Sequence, residues 1–271
     1  MFVVTGATGN VGRVLVRILA EDGEQVTAVS RHAEGRPDGV RHFAADLADP
    51  QSLRPALDGA RALFLLVAGE DPQGILDLAR TAGVRRVVLL SSQGAGTRPE
   101  VYRHHVAFEE AVRRSGLDWT ILRSGGLNSN TFAWAGTIRA NRTAAAPFGD
   151  VGLPTVDPAD VAEVAAAVLR GNGHAGSTYD LTGPAPVTPR QRATVIGEVL
   201  DTPVRFVEQS REEARAQMLA FMPEPVVEGT LAILGEPLPA EQRPSPAVEH
   251  LLGRAPRTFA DWAARTAPAF R

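Results

Sequence analysis

Cysteine and lysine are both missing from this 271-residue chain, whose 28 basic residues are all arginine. Without cysteine there is no disulfide, no thiolate nucleophile and no cysteine-ligated metal, and the composition fits a reducing compartment. Without lysine there is no Schiff base, no lysine general base and no P-loop lysine. A dominant charge sign is missing too. Net charge is −3 with acidic and basic residues interspersed, which leaves no electrostatic footprint for nucleic acid or anionic lipid. The longest apolar run, Ala62 to Ala68, is far too short to cross a bilayer, and the opening residues lack a signal-peptide layout. We therefore expect a cytoplasmic protein that neither enters a membrane nor touches nucleic acid directly. No metal is expected either: His104 and His105 are helix neighbours whose side chains diverge, and no third ligand is evident.

What is present begins at residue 2. A β-rich run, Phe2-Val-Val-Thr5, breaks into three glycines spaced three apart, Gly6, Gly9 and Gly12, and continues into a helical pattern. Its apolar positions Val11, Val14, Leu15, Ile18 and Leu19 keep helical spacing. Gly6 permits a tight turn, Gly9 lets backbone approach an anion, and Gly12 lets helix and strand pack closely. The amide groups and positive dipole end of that helix then face a pyrophosphate. Gly6, Thr8, Gly9, Asn10, Val11 and Gly12 are accordingly read as the phosphate-binding turn of a dinucleotide site.

Further strand-like runs at 25–30, 40–44, 62–67, 84–90, 119–122 and 178–181 alternate with helical ones, which implies βαβ units and a parallel sheet. Asp49-Pro50 and Asp157-Pro158 are helix starts, Thr188-Pro189 is another, and Ser210 with Glu213 forms a capping box. Proline-rich stretches at 223–225 and 237–246 read as connecting loops. The expected fold class is α/β: a doubly wound parallel sheet over residues 1–150, completed by roughly 156–183, with a small, mostly helical substrate lobe over 184–271.

An NAD-binding unit of this kind places a carboxylate near the end of the second strand. This chain has Ser30-Arg31-His32 there. Arg31 can pair with a 2′-phosphate and stack on adenine, which would favour NADP(H) over NAD(H), or it solvates the strand end. Asp46, after the third strand, either accepts from the adenine amino group or caps a helix. Ser91 and Ser92 end the fifth strand at the carboxyl edge of the sheet, where ligands of such folds collect. Ser91 is assigned to the cofactor and Ser92 to the substrate.

With these residues in view the chain resembles the NmrA-like, atypical short-chain dehydrogenase/reductase family. The resemblance rests on Thr5 to Gly12, Asp46 to Asp49, Leu90 to Ala95 and Ser115 to Arg123, and continues through Val156 to Ala162, Tyr179 to Pro184 and Gly253 to Phe259. It implies a Rossmann domain with a small C-terminal lobe, NADP as the usual cofactor, and a substrate cleft between them. The family's proline after Arg123 is replaced by Ser124-Gly125-Gly126, although Arg123 and Asn130 keep the pattern. Substrate preference therefore does not carry over.

The Tyr-x-x-x-Lys dyad of the wider superfamily cannot form. With Tyr102 as the tyrosine, Val106 takes the lysine position; with His105 as the lysine, Val101 takes the tyrosine position. Tyr102 and His105 share a helix face and are the candidate proton-donating or substrate-orienting groups. Asn130, Phe132, Trp134 and Phe148 are candidates for a flat aromatic pocket. Hydride transfer to a quinone, azo dye or other electron-poor acceptor needs oriented stacking more than a strong protein acid. The expected function is NADPH-dependent reduction of such a molecule. A second reading is a non-catalytic NADP(H)-binding redox sensor that docks a regulatory protein; a homodimer also stays open.

Overall fold

The computed structural model describes residues 1–31 and 39–271. His32, the last residue of the tripeptide after the second strand, lies outside the described residues. Seven parallel strands form the main sheet: β1 (Phe2–Thr5), β2 (Val26–Ser30), β3 (Arg41–Ala44), β4 (Ala62–Leu66), β5 (Arg86–Ser92), β6 (Asp118–Ser124) and β8 (Ser177–Leu181), with β7 (Thr143–Pro147) and β9 (Arg205–Gln209) apart from it. The spatial order is β3-β2-β1-β4-β5-β6-β8, so chain direction across the sheet reverses beside β1. Ligands of open α/β sheets bind outside the carboxyl ends of strands at such a reversal.

The apolar strands are covered on both faces, and their period-two alternation divides their side chains between two cores. Phe2, Val4, Phe64, Val88 and Leu122 face one core with the helices Gly12–Glu21 and Pro158–Arg170. Val3, Leu63, Leu65, Val87, Leu89 and Ile121 face the other with Pro72–Thr81 and Arg103–Arg114. Helix starts follow the sequence signals. Asp49 accepts from the Gln51 amide, Asp157 from the Ala159 amide, and Thr188 and Ser210 form capping boxes with Gln191 and Glu213.

Three features depart from the sequence reading. Strands β7 and β9 pair in parallel, Thr143 opposite Arg205 through Pro147 opposite Gln209, and join the segment after β6 to the later helices. The Thr-Ala-Ala-Ala-Pro sequence of β7 has no alternation and only one β-branched residue, Thr143, so its partner is what makes it a strand. The 223–225 stretch, read as a loop, instead opens the helix Glu224–Gly235 with Pro225 in its first turn. A proline there removes an amide that has no intrahelical partner anyway. The 237–246 stretch likewise contains a helical turn, Pro239–Gln242. Among the described residues no helix is long and apolar enough to cross a membrane.

Candidate active site

The turn after β1 is built as the glycine spacing requires. Gly6 has φ +63°, where side chains are strained, and a Cβ at Gly12 would overlap the Gly6 carbonyl oxygen and lie 2.8 Å from its carbon. The Gly9 amide donates to the Gly6 carbonyl at 2.9 Å, which closes the turn. No side chain caps the first turn of the following helix, and no acidic residue sits there. Its amide end is thus available to an anion. The Thr5 hydroxyl ties β1 to β4, donating to the Phe64 carbonyl and accepting from the Leu66 amide, both at 3.0 Å.

A cavity of about 500 Å³ opens over this turn, lined by Gly6, Thr8, Gly9, Ser30, Arg31 and Asp46. The residues fit a dinucleotide: a glycine cradle that a side chain would fill, a free amide end, and an exposed arginine where a carboxylate would mark NAD. Asp46 lines the cavity while its Oδ1 accepts from the Ala48 amide at 3.0 Å, so it also braces its own turn. Asn10 donates to the Ser129 hydroxyl at 3.1 Å, linking the loop to the segment after β6. Val11 is buried in the first core and does not line the cavity.

At the carboxyl ends of β5 and β6 a smaller cavity of about 190 Å³ is lined by Ser92, Gly94, Tyr102, Ser124, Arg192 and Leu234. A neighbouring one of about 450 Å³ is lined by Asn130, Thr131, Trp134, Arg192, Phe221 and Leu234. The two share Arg192 and Leu234, and together they form a cleft between the sheet and the later helices. Tyr102 lies flat on Gly94, where a Cβ would come within 2.6 Å of its ring. His105 stands edge-on behind it, ring centroids 5.4 Å apart, and does not line the cleft. Burial pushes the Tyr102 phenol above its ordinary value, helped by the Glu241 charge and opposed by Arg98 and Ser92. Burial lowers His105, with His104 adding to it and Glu109 opposing.

Ser91 is turned away from the cleft. Its hydroxyl donates at 2.8 Å to Glu109, a carboxylate 1% exposed that also accepts from Arg123 at 2.9 and 2.7 Å and from Arg113 at 2.9 Å. Ser91 therefore supports the floor of the site through this network. Phe132 packs on Trp262 and Phe270, with centroids at 5.1 and 5.9 Å, and Phe148 packs on Gly235, where a Cβ would lie 2.6 Å from its ring. Neither ring lines the two cavities. Large aromatic rings gain more from closing a small apolar core than from standing in an open cleft. Asn130 and Trp134 do line it.

Sequence reasoning missed Arg192. The helix Pro189–Val199 buries Pro189, Arg192, Ala193, Ile196 and Gly197, one stripe at helical spacing, and a charged residue within an apolar stripe is the signal that would have found it.

A family described as NAD(P)H-binding matches residues 6–172. The chain belongs to this NAD(P)H-binding family. The family read from the sequence motifs is thereby borne out. A (4-alkanoyl-5-oxo-2,5-dihydrofuran-3-yl)methyl phosphate reductase of Streptomyces griseus is 37% identical, covering 100% of this chain and 99% of its own. An NAD(P)H azoreductase of Xenophilus azovorans is 30% identical over 100% and 99% of the two chains. Among solved structures, an NADPH-dependent quinone oxidoreductase of Escherichia coli complexed with NADPH superposes with a TM-score of 0.80 at 24% identity, covering 98% of this chain and 99% of that one. That likeness concerns the fold.

Proposed function

We propose that this member of the NAD(P)H-binding family is an NADPH-dependent reductase of small aromatic, quinone-like or other electron-poor acceptors. The observation that carries the reading is one continuous carboxyl edge of the sheet, with a glycine cradle at β1 and a walled cleft at β5 and β6. The two curated relatives support it: both are full-length matches named as reductases, and their named substrates, an oxo-dihydrofuran phosphate and an azo compound, are both electron-poor. When bound, the reduced dinucleotide supplies the hydride equivalent. Gly6, Gly9, Gly12 and the amide end of the first helix hold its phosphates, and Arg31 selects the 2′-phosphate. Leu234 and Trp134 exclude water from the acceptor, and Tyr102, protonated across the neutral range, orients it or donates a proton. The test is NADPH oxidation with a panel of quinones and azo dyes. Tight cofactor binding with no acceptor turned over, and a partner protein co-purifying instead, would favour the sensor reading.

Two expectations follow for side chains. Arg31→Asp lowers the NADPH-to-NADH affinity ratio by about tenfold or more, the worth of one charge-assisted contact of about 1.5–3 kcal/mol. Calorimetry with both cofactors measures it, and an unchanged ratio removes Arg31 from the account. Tyr102→Phe lowers kcat about 100-fold if the phenol donates. Because the phenol is raised above its ordinary value of 10.0, the wild-type rate is flat from about pH 6 to 9. A proton taken from His105, lowered from 6.5, would instead make the rate fall as pH rises through the acid side of that range. That profile, abolished in His105→Gln, would transfer the role to the histidine.

A further inference from the structure

Arg192 is 8% exposed, and no hydrogen-bond acceptor or carboxylate among the described residues engages its guanidinium. Among the described residues its buried Nε has no partner. Burial alone pulls its pKa down to about 10, so at neutral pH the group is a charged, unpaired cation within the protein. Native structures pair such charges, because isolating one from water costs several kcal/mol. The carboxylate lining the smaller cavity is already occupied. Glu241, which shares the smaller cavity, accepts from Arg98 at 2.8 and 2.9 Å and from Thr97 at 2.8 Å. In the larger cavity the Thr131 hydroxyl, in a residue 2% exposed, is also without a partner. Two orphaned polar groups therefore line one cleft whose other walls, Trp134, Phe221 and Leu234, are apolar.

We infer that Arg192, assisted by the Thr131 hydroxyl, is a specificity-determining anion site, and that the acceptor carries a carboxylate or phosphate that docks there with its ring toward Tyr102. This rests on the reductase reading and names the substrate class more closely. A guanidinium presents a planar fork of donors suited to an oxyanion, and a desolvated cleft strengthens that contact. Neutral acceptors leave the charge unpaired, so discrimination comes as much from their penalty as from the anion's gain.

The experiment is calorimetry on the protein loaded with NADP⁺, using benzoate and phenyl phosphate against neutral benzamide. At least one anion is expected to bind about tenfold or more tightly than benzamide, and the stronger arm tells carboxylate from phosphate. Arg192→Met is expected to erase that difference, while Arg192→Lys keeps part of it. Because the arginine is buried without a partner, Arg192→Met is also expected to raise Tm by about 2–4 °C. A purely structural arginine would give the opposite sign. Equal wild-type affinity for anions and benzamide, an intact preference in Arg192→Met, or a lowered Tm overturns the inference. Wild-type turnover of a neutral quinone without anion preference removes only this inference, whereas failure to bind any pyridine nucleotide removes the reductase reading itself.

Discussion

Gly12→Val is expected to weaken NADPH binding about 100-fold or more. A branched Cβ at this position meets the Gly6 carbonyl, which is backbone in a turn already at positive φ and cannot give way as a side chain could. Either the helix moves off the strand or the turn opens, and in both cases amide groups leave the phosphate position. Losing two charge-assisted contacts of about 1.5 kcal/mol each corresponds to that factor. Overpacking adds about 1–3 kcal/mol of lost stability. Calorimetry with NADPH and urea unfolding measure the two effects. Gly23→Ala is the control: Gly23 also has positive φ, but nothing lies within 4 Å of a Cβ there. It is expected to lose some stability and keep its affinity. Wild-type affinity in Gly12→Val would rule out the turn as the cofactor cradle.

Glu109→Ala is expected to cost about 3–5 kcal/mol of stability, the range for removing one partner of a buried ion pair. Deleting the carboxylate leaves Arg123, 20% exposed, without its bidentate acceptor and leaves the buried Ser91 hydroxyl unpaired. With total stability of about 5–15 kcal/mol for a typical domain, the urea midpoint should fall by a large fraction. The same cluster sets an acid limit. Burial by itself would raise the Glu109 carboxyl, but hydrogen bonds from Arg123 and Ser91, the Arg123 charge and Arg113 outweigh it and hold it below its ordinary 4.5. A carboxyl lowered on folding contributes stability that is complete above its unfolded value and is lost as pH falls through its folded value. Glu163, bound by Arg254 and Arg257, and Glu241, bound by Arg98, are lowered too and act in the same sense. Urea midpoints should hold steady at neutral pH and decline below about pH 4.5, less steeply in Glu109→Gln. An unchanged midpoint in Glu109→Ala, or an unaltered acid slope in Glu109→Gln, would show that the network is not coupled to folding.

Much of this protein was legible because its signals are local. The three glycines act within one turn, and the apolar strands act through period two. Asp49, Asp157, Thr188 and Ser210 cap helices within three residues of themselves. Each is a rule between chain neighbours, which is why the sheet, its helices and the glycine turn after β1 could be read from residue order. The pairing of Tyr102 with a cleft, and of His105 with the back of its ring, was half legible. Helix spacing places them on one face, but which of the two lines the cleft depends on Gly94, eight residues away and in another element.

What residue order could not disclose depends on distant partners. Thr143–Pro147 is a strand because Arg205–Gln209 lies beside it, and Phe132 is a core residue because Trp262 and Phe270 close around it. Ser91 became a buried prop once Glu109 gathered Arg113 and Arg123 around one carboxylate. Arg192 acquired its meaning last of all. Its charge is a property of the residue, but its isolation arises only when the helix Pro189–Val199 docks and the carboxylate that shares its cavity, Glu241, has been taken by Arg98. Chain neighbours impose backbone conformation through sterics and amide bonding, whereas burial and electrostatic partners are set by packing across the whole molecule.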